Sequence, residues 1–69
     1  MDFSTKIKFV RDKLQISQED LAHALGVSFA TINRWENGKT KPIRIARAAF
    51  DAFCESRGIK FEDKEGSQL

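Results

Sequence analysis

The chain is 69 residues long, with 12 Lys and Arg against 10 Asp and Glu, one His and one Cys. That length holds one domain near the lower limit for folding without staples. A lone Cys54 excludes an intrachain disulfide, one Cys with one His excludes a structural zinc site, and no apolar run approaches the roughly 20 residues that span a bilayer. The amino-terminal MDFSTKIKFVRDK is charged throughout and lacks the apolar centre of a signal peptide, so a reducing cytoplasm is the expected compartment, with no membrane partner.

Period-2 alternation and hairpin dipeptides are absent, whereas helical spacing recurs, so an all-α class is predicted. The first helix is predicted over residues 4–14, capped by Ser4 or Thr5, with Ile7, Val10 and Leu14 on one face and Phe3 and Phe9 at its edges. Ser17 followed three residues later by Asp20 is a capping-box variant that opens a second helix. Leu21, Ala22 and Leu25 supply its buried face, and Gly26 supplies the left-handed residue that ends it. Ser28 caps a third helix over Phe29–Glu36, with Ile32 and Trp35 facing inward and Asn37-Gly38 closing it. After Lys39-Thr40-Lys41, Pro42 fits the first turn of a fourth helix that runs to Gly58. Its apolar face is expected from two rows, Ile45, Ala49, Phe53 and Ala46, Phe50, Cys54. Residues 59–69 are expected to fray or to serve as a polar tail or linker, leaving residues 1–58 as the domain.

Charge is unevenly spread. Between Ser28 and Arg47 there are five basic residues and one acidic; from Ala48 onward three basic residues face five acidic ones. The pair of helices across Gln18–Gly38 also meets the needs of a steep helix crossing. Ala22 is small at the closest approach, Gly26 makes the turn, and Val27 plugs it from below. Ile32 and Trp35 face in while Phe29, Ala30, Asn33 and Arg34 face out. Together with the basic loop that follows, this points to a major-groove reader of double-stranded DNA.

The segment from about Ile7 to Phe53, and above all SQEDLAHALGVS and INRWENGKTKP, resembles the helix-turn-helix family of phage lambda-type repressors and Cro proteins, the XRE family. The resemblance implies a four- to five-helix lambda-repressor-like domain in which the third helix enters the major groove. It assigns base readout to Ser28, Phe29, Ala30, Asn33 and Arg34, and backbone contacts to Gln18, Thr31, Asn37, Lys39, Lys41 and Arg44. It also implies an ion pair between Arg11 and Glu36. Phe29 and Ala30 depart from the glutamines common at the helix tip; they suit thymine methyls, while Arg34 suits guanine and Asn33 adenine or a phosphate. Family members commonly dimerise through a fifth helix. A homodimer is therefore a candidate assembly, with Phe50, Phe53, Ile59 and Phe61 as residues for its interface.

No Ser/His/Asp group, Gly-rich phosphate loop or metal cluster is legible, so no enzyme, cofactor or metal is expected in these residues. His23 reads as a solvated helix residue and Cys54 as an inert core thiol. The function expected is that of a sequence-specific transcriptional regulator. The alternatives are the DNA-targeting module of a larger restriction–modification or DNA-processing protein, or an antitoxin-type protein-interaction module.

Overall fold

Four helices follow one another in the computed structural model, which describes residues 2–61: α1 (Phe3–Leu14), α2 (Gln18–Leu25), α3 (Phe29–Glu36) and α4 (Arg44–Ser56). No strand occurs among the described residues. Each boundary has a local cause. Asp2 caps α1, its carboxylate accepting from the Thr5 amide at 3.0 Å and from the Ser4 hydroxyl at 3.2 Å. This corrects the expected Ser4 or Thr5 cap: the cap is the acid two residues before Ser4, and both hydroxyl residues fall inside the helix as its partners. Hydrogen bonds from the Thr5 side chain and amide hold the Asp2 carboxyl below its ordinary range. At α2 both arms of the Ser17–Asp20 capping box form, at 2.9 and 3.1 Å.

α3 begins on Ser28, whose Oγ accepts from the Thr31 amide at 3.1 Å. α4 starts later than expected. Pro42 stands before the flanking Ile43, which makes no side-chain cap, and the helix opens at Arg44.

All four helices end alike. The residue after each reversal donates its amide five residues back: Ile16 to Arg11, Val27 to Ala22, Lys39 to Arg34 and Ile59 to Cys54, at 2.9–3.1 Å. Gly26, Gly38 and Gly58 take the left-handed conformation at three of these turns, and Gln15 (φ 56°) takes it at the first. Gln15 Nε2 donates to the Asp12 carbonyl at 2.8 Å, which offsets part of the strain of a left-handed non-glycine.

The core sits where α3 crosses α1 and α2, with α4 closing one side against α2. Ile7, Val10, Leu21, Ile32 and Phe50 are fully buried, joined by Ala22, Trp35 and Cys54. Phe3 stacks edge-on against both Trp35 (5.4 Å) and Phe50 (5.0 Å), so an expected edge residue ties α1 to α3 and α4. Two expectations fail here. Ile45 is 77% exposed. Successive residues of a helix turn by about 100°, so a row spaced by four drifts about 40° per step, and Ile45 lies about 140° from Phe50, the centre of the buried stripe. The chain also does not leave the domain at Gly58. The turn there returns Ile59 to the core, 7% exposed, and sets the Phe61 ring 6.4 Å from Phe50 and 5.8 Å from Phe9. The packed unit therefore runs through Phe61, and residues 62–69 of the expected tail lie outside the described residues.

A polar lock completes the packing. Arg11 grips Glu36 with two bonds, Nε to Oε2 at 2.6 Å and Nη2 to Oε1 at 3.1 Å, while its Nη1 donates to the Ile16 carbonyl at 3.2 Å. The ion pair expected from the resemblance is present. Burial, the largest influence on the Glu36 carboxyl, pushes its pKa up. Hydrogen bonds from Arg11 and Gln18 and the charges of Arg11 and Lys8 outweigh it, and the net shift is downward.

Replacing Gly26 with Ala meets no atom within 4 Å of the new Cβ, so only the φ of +72° opposes it. The expected loss is about 1–2 kcal/mol in urea unfolding; a loss near zero would show that the turn relaxes to negative φ. Arg11→Met should cost about 2–3 kcal/mol, less than the ~3–5 of a fully enclosed pair, because Arg11 keeps 26% of its surface in water. Because the folded Glu36 pKa is depressed, the unfolded chain binds more protons between the two pKa values. The stability from Glu36 is thus complete above the ordinary glutamate range, about pH 4.3, and is lost as pH falls below it. Glu36→Gln should flatten that acid limb of the urea midpoint, and an unchanged limb would remove Glu36 as its source.

Candidate nucleic-acid interface

The outer face of α3 carries the residues the sequence singled out. Phe29 is 51% exposed, and Ala30 and Arg34 are exposed beside it. An exposed phenylalanine in the first turn of a helix forgoes burial worth ~2 kcal/mol. Trp35, on the inner face of the same helix, is buried and belongs to the core.

The polar residues of this face are not equally free. The Ser28 hydroxyl accepts from the Thr31 amide and lies 2.9 Å from the Thr31 hydroxyl, so both side chains are engaged in starting the helix. Asn33 is half-buried. Its Nδ2 donates to Gln18 Oε1 at 3.4 Å and its Oδ1 accepts from Asn37 Nδ2 at 3.1 Å. Gln18 in turn donates through Nε2 to Glu36 Oε1 at 3.0 Å. One continuous chain of hydrogen bonds thus joins Arg11, Glu36, Gln18, Asn33 and Asn37. The spacing of Asn33 from Asn37, four residues apart on one helix face, was available in the sequence. The inward turn of Gln18 was not, since it depends on the angle between α2 and α3.

Cations divide into two sets. Arg11 is bound to Glu36, and Arg47 pairs with Asp51 at 3.3 Å while its guanidinium lies 5.3 Å from the Phe3 ring. Arg34, Lys39, Lys41 and Arg44 are exposed and form no ion pair among the described residues. These four run from the end of α3 through the following loop to the first residue of α4. Thr31, Arg34, Thr40, Lys41 and Ile43 line an open cleft between α3 and that loop. The first amides of α4 lack a side-chain cap, which adds the positive end of a helix dipole to the same strip. Positive charge concentrated in this way raises the local concentration of polyanions.

The amino-terminus of α2, by contrast, is satisfied by its own capping box and carries Glu19 and Asp20 in its first turn. Gln18, the first residue of α2, turns towards α3 through its bonds to Glu36 and Asn33.

Burial, followed by the charge of Asp51, pushes the Cys54 thiol up to about 11, which leaves almost no thiolate at neutral pH. His23 is exposed on α2. No cluster of three or more potential metal ligands occurs among the described residues. No helix among them is long and apolar enough to cross a membrane. Of the residues considered for a dimer, Phe50 and Ile59 are buried within the protomer, and Phe53 and Phe61 are partly buried against its core.

The sequence is 40% identical over 57 residues to the Type II methyltransferase M1.ScrFI of Lactococcus lactis subsp. cremoris. That alignment covers 78% of this chain and 15% of the methyltransferase, so the chain spans only a small part of its relative's length. No solved structure matches the chain. The helix-turn-helix family profile matches residues 7–48, the stretch that holds α1, α2, α3, the basic loop and the start of α4. With that match and this geometry, the chain belongs to the lambda-repressor-like, XRE-type helix-turn-helix family and forms a DNA-binding domain.

Proposed function

We infer that the chain is a sequence-specific transcriptional regulator that lays α3 in the major groove of double-stranded DNA. The observation that carries this reading is the run of four cations, Arg34, Lys39, Lys41 and Arg44, that form no ion pair among the described residues and flank an α3 face whose tip is exposed and apolar. In this reading Lys39, Lys41 and Arg44 hold the sugar-phosphate backbone together with Asn37 and the uncapped amides of α4. Gln18 contributes through the second proton of its amide, the first being committed to Glu36. Thr31 supports that strand from the cleft wall. These contacts set register.

Base readout falls to Phe29, Ala30, Asn33 and Arg34, with Ser28 placing the helix tip. Phe29 and Ala30 meet thymine methyls, Arg34 forks onto guanine O6 and N7, and Asn33 faces adenine. The cell compartment proposed is the cytoplasm, where such a regulator meets the chromosome.

A second reading has its own support. The likeness to one short part of a Type II methyltransferase suggests a DNA-addressing segment within a longer restriction–modification protein. The two readings share the interface and differ in what is attached to it, and the length of the natural gene product separates them.

Fluorescence anisotropy with random duplex should show log K falling against log salt with a slope of about −3, from three lysine and arginine phosphate contacts. Lys41→Ala should lower that slope by about 1. Absence of binding at low salt would turn the reading towards a protein-interaction module. In a randomised-site selection, Arg34→Ala should relax one base pair by about 1–3 kcal/mol, and an unaltered preference would remove Arg34 from base readout. A single module of this size buries roughly 600–1,000 Å² on DNA, which favours two copies on a palindromic site. Sedimentation with the selected duplex is expected to give two protomers per site, and one per site would rule out the dimer.

A further inference from the structure

Glu36 does more than anchor Arg11. Its carboxylate is 7% exposed and, being ionised, only accepts hydrogen bonds. Oε2 takes Arg11 Nε, and Oε1 takes both Arg11 Nη2 and Gln18 Nε2. Gln18 therefore has to turn its nitrogen towards Glu36, which leaves its oxygen facing Asn33. Asn33 then has to present Nδ2 to that oxygen and Oδ1 to the other side, where Asn37 supplies its own Nδ2. Inverting any one amide would bring two oxygens or two amino groups face to face.

An amide has no intrinsic preference between its two orientations; here the choice is made by a charge two residues along the chain of bonds. We propose that Glu36 is a positioning residue which, through Gln18, sets the donor–acceptor order of Asn33 on the groove face and so the base that Asn33 prefers. The inference rests on α3 being the major-groove helix. With the order observed, Asn33 keeps one Nδ2 proton and one Oδ1 lone pair, the complement of adenine N7 and N6. In the inverted order the same two groups meet the base edge exchanged.

Three variants separate this role from simple support. Glu36→Gln permits both amide orders. Gln18→Met preserves the Arg11–Glu36 pair and cuts the link to Asn33. Arg11→Gln weakens the lock but leaves a carboxylate on Gln18. In the free protein, side-chain amide NMR spectra should show one orientation for Asn33 in the wild type and in Arg11→Gln. The Asn33 and Asn37 amide signals should shift or double in Glu36→Gln and Gln18→Met. In site selection those two variants should lose about tenfold preference at one base pair while keeping the salt slope, and Arg11→Gln should retain the preference despite its lower stability.

Unchanged amide signals and unchanged preference in Gln18→Met would overturn the proposal. So would an equal loss of preference in Arg11→Gln, which would reduce Glu36 to a structural support. Failure of the wild type to bind any duplex would sink the DNA reading instead, and the amide spectra of the free protein would still decide the orientation.

Discussion

A carboxylate buried where three helices meet has to have its oxygens satisfied, or it destabilises the fold by more than the packing around it contributes. Glu36 is such a group, and much of the surrounding architecture follows from meeting its needs. Arg11 reaches it from α1 with two bonds, and Gln18 reaches it from the first residue of α2. The Arg11 side chain also holds the Ile16 carbonyl, which fixes the turn between α1 and α2. The position of α3 is thus specified by direction-dependent contacts as well as by Ile32 and Trp35, whose apolar packing tolerates small rotations. A bidentate ion pair at the end of a helix restricts its angle more tightly than packing alone.

The same economy of charge divides the molecule into a part that maintains itself and a part left open. Arg11 and Arg47 are neutralised by acids and rest against the body of the domain. Arg34, Lys39, Lys41 and Arg44 form no ion pair among the described residues and fall within one short stretch of chain. A net charge of +2 conceals this arrangement, because the acidic residues of the carboxy-terminal third cancel the total without approaching the strip in sequence. Placement, not the sum, produces the local field.

Features with strictly local causes were legible in the sequence. Ser17 and Asp20, Ser28, Gly26 and Gly58 each act through a few neighbouring backbone groups, and all occupy the places their chemistry predicts. Periodicity also found the inner faces of α2 and α3. It misjudged α4, because two rows of apolar residues cannot both lie at the centre of one stripe, and only the position of α2 decides which does. It likewise treated residues after Gly58 as a tail, since two apolar residues among charges carry no periodic signal. Their burial follows from the reversal that the same glycine permits. In the interface, exposure of Phe29, Ala30 and Arg34 matched the residue types. The engagement of Gln18 and Asn33 with each other could not be read from residues 15 positions apart, because it is a product of the crossing angle.

Each of the four helix endings places one residue just beyond the reversal, and three of these residues, Ile16, Val27 and Ile59, are apolar and pack on the core. At the end of α3 the equivalent residue is Lys39, which stands in solvent. Such a residue is the anchor that couples a turn to the cooperative unit behind it. Without one, the loop from Lys39 to Ile43 can open at lower free energy than the global transition. At this one ending a charge stands in the anchor's place, so the turn is held by its backbone bond to Arg34 and not by burial of the residue beyond it.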